Sequence, residues 1–124
     1  MIGEIQWLLD RASESLKAAK LMANNHLYHS AVSEGYYTMF YCAQAPILQK
    51  GKNASTHKGV IIHFSDSYIK TNEIDRSFSA MLSNAFAARG KADYEIGLEI
   101  SAPETETVIA DAEQFFQMTL GILQ

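Results

Sequence analysis

Arg89, Asp93 and Tyr94 fall within AFAARGKADYEIG, residues 85 to 97. Of the three, Arg89 has the side chain that suits a phosphate. A guanidinium presents a planar fork of donors that fits phosphate oxygens in pairs. A carboxylate four residues on can pair with that arginine or cap a turn. Arg89 extends the spacing of Phe78, Leu82 and Ala85. A charge at the end of such an apolar stripe has two readings: it snorkels to water beside the helix dipole, or it lines the lip of a groove. Spacing alone leaves both open, and the simplest role for Asp93 is to pair with Arg89.

Other chemistry-bearing residues give less. His26 and His29 are three apart, and His57 and His63 follow, but no cysteine or carboxylate joins them at metal-ligand spacing. No metal or cofactor site is expected. The lone Cys42 sits in an apolar helical run and reads as a buried small side chain. Neither a glycine-rich phosphate loop nor a nucleophile elbow occurs. The run GYYTMFY, residues 35 to 41, puts Tyr36, Tyr37, Phe40 and Tyr41 around most of a helix. It reads as core plus a subunit interface in preference to a base-stacking platform.

These residues must be held by a fold, and its period is helical. Ile5, Leu8, Ala12, Leu16, Ala19 and Ala23 mark a first helix over 3–23. A second is expected from His26 to Gln49, on Tyr28, Val32, Tyr36, Met39, Ala43 and Ile47, with Pro46 kinking or ending it. A third follows a cap at Thr56, on Val60 or Ile61, Phe64 and Tyr68. A fourth starts near Asp75 and stops at Gly90. A fifth opens at Pro103, on Val108, Ala112, Phe115, Thr119 and Ile122. The sequence therefore predicts an all-α antiparallel bundle of about five helices. The connection from Gly90 to Ala102 is long for a bundle loop, and long loops are often functional.

Composition sets outer bounds. At 124 residues and 48% apolar content, one domain over residues 1–124 is expected. The net charge is −4, with no basic run, which argues against a DNA-coating or membrane-surface role. No apolar stretch reaches membrane-spanning length, and the lone cysteine suits a cytoplasmic protein.

Three stretches carry a resemblance: LKAAKLMANNHLYHSAVSEGYYTMFYCAQAPILQKG, STHKGVIIHFSDSYIKTNEID and LSNAFAARGKADYEIG. Over roughly residues 12 to 97 the chain is similar to the HEPN domain family, in its small stand-alone prokaryotic branch. The resemblance implies a helical bundle that dimerises about its two long helices, with a groove at the dimer interface. In many members an arginine, followed after four to six residues by histidine, makes that groove a metal-independent ribonuclease. Such members are often toxins encoded beside a small nucleotidyltransferase antitoxin. In some pairs that enzyme attaches AMP to a tyrosine near the motif.

Carried over residue by residue, Arg89 matches the motif arginine and Tyr94 stands in the histidine slot. The arginine often found before the paired tyrosines is replaced by Ser33-Glu34-Gly35. Metal-free RNA cleavage needs a base for the 2′-hydroxyl proton and a cation for the phosphate. Histidine is suited to that at neutral pH, whereas an ordinary tyrosine is ionised only about one time in a thousand. The expectation is a toxin-like homodimer, partner of a nucleotidyltransferase, with weak or absent ribonuclease activity. In it Arg89 binds phosphate, Asp93 orients Arg89, and Tyr94 accepts AMP from a loop. A base from elsewhere in the chain would have to be His57 or His63 swung into the groove, and the sequence does not place either there. A non-catalytic nucleotide- or RNA-binding module and a pure interaction protein are the alternatives.

Overall fold

The computed structural model describes residues 2–124. Among them are five α-helices and no strand: α1 (Ile2–Asn24), α2 (Tyr28–Gln49), α3 (His57–Phe64), α4 (Arg76–Tyr94) and α5 (Ala102–Ile122). A π-helical turn, Ser65–Ile69, prolongs α3. The chain is an antiparallel all-α bundle. α2 is its axis, packing against each of the other four helices.

The apolar stripes explain that centrality. α2 buries Val32, Tyr36, Met39, Ala43 and Ile47 on the expected line, with Phe40 and Cys42 beside them. α1 contributes Leu8, Ala12, Leu16 and Ala19, α4 Leu82 and Ala85, and α5 Val108, Ala112, Phe115 and Thr119. Deep burial holds the Cys42 thiol up to about 12, which keeps it an uncharged core group. Small residues let α2 sit close to its neighbours. A Cβ placed on Gly35 would come 2.8 Å from Val108 Cγ1 of α5.

The helix starts follow their caps. Thr56 accepts from Gly59 N–H and Asp75 from Ser77 N–H. α5 starts one residue before Pro103, at Ala102, because Ser101 and Glu104 form a reciprocal capping box. Val60, not Ile61, is the buried member of the α3 line with Phe64 and Tyr68. The π-helical turn helps keep that line on the core.

Two boundaries and one connection differ from expectation. α2 starts at Tyr28, because His26 takes a left-handed conformation (φ 61°) and prolongs the turn. Its end at Gln49 is the expected one, with Pro46 carried inside the helix. The Tyr68 hydroxyl donates to the Pro46 carbonyl at 2.5 Å. Gly90 does not stop α4. One glycine costs a helix only about 1 kcal/mol, and the turn beyond it is tied by the Arg89–Asp93 pair. The left-handed glycine comes later, at Gly97 (φ 84°). The connection to α5 is therefore residues 95–101, shorter than expected. Asp93 and Tyr94 belong to the last turn of α4 and not to a loop.

Candidate functional site

Arg89 lies where α4 crosses α2, one turn beyond buried Ala85. Its side chain is 14% exposed. Nη2 donates to the Tyr37 hydroxyl at 3.0 Å and to the Tyr94 hydroxyl at 3.4 Å. The guanidinium carbon stands 5.5 Å from the Tyr37 ring centre and 5.4 Å from that of Tyr94. Cation–π contacts of this kind contribute about 0.5–1 kcal/mol when exposed and more when desolvated. Nε lies 2.9 Å from Asp93 Oδ2, yet its N–H is not aligned on that oxygen as a hydrogen bond. Ser33 of α2 donates to the other Asp93 oxygen at 2.5 Å. Asp93 thus ties the last turn of α4 to α2 while holding the guanidinium. Nη1 takes no hydrogen-bond partner among the described residues.

An aromatic box backs the arginine. His57, at the start of α3, packs against Phe40 with ring centres 4.7 Å apart and stacks on Phe86 at 5.7 Å. Its Nδ1 is 2.6 Å from the hydroxyl of buried Tyr36. Burial, and then the positive charge of Arg89, lower the His57 pKa, so the ring is neutral at pH 7. Burial raises the Tyr36 phenol well above its usual range, keeping it a neutral partner. A buried neutral phenol must place its hydrogen somewhere. Donation to His57 Nδ1 leaves the histidine proton on Nε2. In that tautomer His57 is a donor and not a base.

The geometry brings together Arg89, Asp93 and Tyr94, and draws His57 to the same corner through Tyr36 and Tyr37. His63 lies elsewhere, in the last turn of α3 near Asp66. Tyr94 is 72% exposed. Sequence reasoning missed Ser33 and Tyr37 as partners. The signal for Tyr37 was its place in the aromatic run, where the fold splits the residues: Tyr36 and Phe40 are buried, Tyr37 and Tyr41 half-buried. Among the described residues no three His, Cys, Asp or Glu side chains converge as metal ligands. No helix there is long and apolar enough to cross a membrane.

The model of the HEPN domain matches residues 5–123. The chain belongs to the HEPN family. HEPN-family relatives extend the match over nearly all of it. A Methanocaldococcus jannaschii protein named "Putative toxin MJ0142" is 36% identical over 116 residues, which is 94% of this chain and 79% of the relative. A second from that organism, "Putative toxin MJ0605", is 36% identical over 90% of this chain and 83% of its own. A Gloeobacter violaceus protein, UPF0332 protein glr0978, is 32% identical over 99% of this chain and 98% of its own. This HEPN chain therefore has toxin-named relatives, and Arg89 stands where α4 meets the central helix of its bundle.

Proposed function

We propose that this HEPN protein, a single domain over residues 1–124, is the toxin-like partner of a small nucleotidyltransferase. It acts as a homodimer in the cytoplasm. Arg89 binds a phosphate of RNA or of a nucleotide in a groove between protomers. The observation that carries the reading is the Arg89 clamp. Tyr37, Tyr94 and Asp93 fix the guanidinium at the protein surface while Nη1 is left for a ligand. Asp93 positions the arginine. Ribonuclease activity is weak or absent. Among the described residues no carboxylate or imidazole hydrogen-bonds to the Tyr94 hydroxyl, which accepts from Arg89, and His57 is held as a neutral donor. Such a donor can steady a phosphate oxygen but cannot take the 2′-hydroxyl proton. That same observation favours a second reading, a module that binds nucleotide or RNA without cutting it.

Tyr94 is the AMP acceptor. Its hydroxyl oxygen attacks the α-phosphorus of ATP on the partner enzyme. The bond from that phosphorus to the bridging oxygen breaks, pyrophosphate leaves, and the phenolic proton passes to a carboxylate of the partner enzyme. The new phosphodiester sits within reach of Arg89 and closes the groove to RNA. Incubation with the cognate nucleotidyltransferase, ATP and magnesium adds AMP to the wild-type protein by intact-mass spectrometry, and Tyr94→Phe takes up none. Equal labelling of the two proteins refutes the site, and no labelling of either refutes the modification.

A further inference from the structure

A guanidinium carries five N–H donors in one plane. It grips two phosphate oxygens at once through a pair of nitrogens, either Nη1 with Nη2 or Nε with Nη2. Nη2 belongs to both pairs. In Arg89 that nitrogen serves two hydroxyls, Tyr37 at 3.0 Å and Tyr94 at 3.4 Å. Nε lies against Asp93 Oδ2 at 2.9 Å. Asp93 is itself tied through its other oxygen to Ser33, so the Nε side stays closed. Nη1 is left for a ligand, but the resting arginine presents no complete pair.

The two tyrosines are not equally fixed. Tyr37 sits half-buried in the middle of α2, with the rings of Tyr36, Phe40 and His57 at 5.4, 6.1 and 6.2 Å. It cannot leave without opening that cluster. Tyr94 is the last residue of α4 and 72% exposed. Its ring centre stands 5.4 Å from the guanidinium carbon, and its hydroxyl accepts only from Arg89 among the described residues. Both contacts are of a weak kind, a long hydrogen bond and an exposed cation–π pair. Beyond it Glu95 is already extended (φ −90°, ψ 109°), and the Glu95 N–H donates to the Lys91 carbonyl. The helix end is closed without the phenol. The Tyr94 side chain can therefore turn about its own bonds with no backbone hydrogen bond lost.

We propose that Tyr94 is a latch on Arg89. Seated, it occupies Nη2 and covers one side of the guanidinium. Swung out, it frees an Nη2 N–H to join Nη1 in a paired contact with a phosphate. Anion and tyrosine compete for one cation, so the site restrains itself in the unliganded protein. The latch rests on the reading of Arg89 as a phosphate site, and it names the group that a phosphate displaces there.

Inorganic pyrophosphate is the probe, because it has no base to stack on a ring. The full-length protein is titrated by NMR, with the Tyr94 ring signals assigned by their loss in Tyr94→Ala. Added pyrophosphate should move those signals towards the positions they take in Arg89→Ala, while the Tyr37 ring signals move less. Pyrophosphate should bind Tyr94→Ala about two- to fivefold more tightly than wild type, the factor that matches release of one exposed cation–π contact. Tyr94→Phe keeps the ring, loses the hydroxyl and should fall between them. Helical content should be the same in all. The latch is overturned if Tyr94→Ala binds pyrophosphate as wild type does or more weakly, which makes Tyr94 a bystander or a ligand contact. Loss of binding in Arg89→Ala then keeps Arg89 as the phosphate site. Binding that survives Arg89→Ala unchanged, or that is absent from wild type and Tyr94→Ala alike, removes the Arg89 site and the latch with it.

Discussion

Arg89 donates to the hydroxyl of Tyr37 at 3.0 Å while its guanidinium carbon stands 5.5 Å from the centre of that ring. The two residues lie 52 positions apart, on α4 and α2. One tyrosine thus engages the cation through both its hydroxyl and its ring system. With Asp93 on the other side, the guanidinium has little rotational freedom left to lose on meeting a phosphate.

Arg89→Ala should weaken binding of an RNA hexamer about tenfold or more, because a charge-assisted contact to phosphate is lost. Arg89→Lys should not restore it, since a point charge cannot reproduce the fork. The folded state should lose only about 1 kcal/mol, because the ion pair is partly exposed. Anisotropy and thermal unfolding measure the two effects separately. A much larger stability loss marks Arg89 as structural.

His57 should make stability depend on acidity. Its folded pKa lies below the ordinary 6.5, from burial first and Arg89 second. As pH falls through about 6.5 the unfolded chain takes up the proton and the folded chain resists it. The unfolded state then binds more protons, so stability rises with pH across this window and falls as the pH drops below it. Denaturant midpoints at about pH 5 and pH 7 should differ less in His57→Gln than in wild type. In NMR titrations Arg89→Ala should move the His57 midpoint upward, since it removes a repelling charge. An unmoved midpoint contradicts the electrostatic contact.

Sedimentation at micromolar concentration should give about twice the 13.8 kDa mass of the chain. Half-buried Tyr37 and Tyr41 on the open face of α2 favour a second copy there. A monomer removes the shared groove.

Gly35→Ala tests the closest approach of α2 to α5. Helix propensity alone would favour alanine by about 1 kcal/mol. Its Cβ meets Val108 Cγ1 at 2.8 Å, and a β-branched neighbour on a helix has little rotamer freedom to yield. Overpacking costs about 1–3 kcal/mol. The variant should lose about 1 kcal/mol in urea unfolding, and Gly35→Val more. A gain in stability shows that Val108 moves aside.

The capping box at the start of α5 gives a local test. Ser101→Ala removes the acceptor for Glu104 N–H and should cost about 1 kcal/mol. Equilibrium denaturation reads it, and Ser101→Asp should recover most of the loss, since aspartate is as good a cap.

The sequence by itself determined the helices, their buried faces and the caps at Thr56 and Asp75. These are local matters, set by a period near 3.6 and by side chains bonding backbone a few residues away. It also put Asp93 in reach of Arg89, because residues four apart share a helix face. Where α4 ends was beyond local rules. A glycine marks a stop only when no later contact rewards continuing, and here Asp93 is held both by Arg89 and by Ser33, 60 residues away. Tertiary packing alone decided that Tyr36 faces His57 from 21 residues off, and that Tyr37, its chain neighbour, turns to Arg89 instead. Tyr36 and Tyr37 are of one type and adjacent in the chain. Only the crossing of α3 and α4 over α2 gives one a half-buried imidazole and the other a cation, because successive residues on a helix point about 100° apart and meet different neighbours.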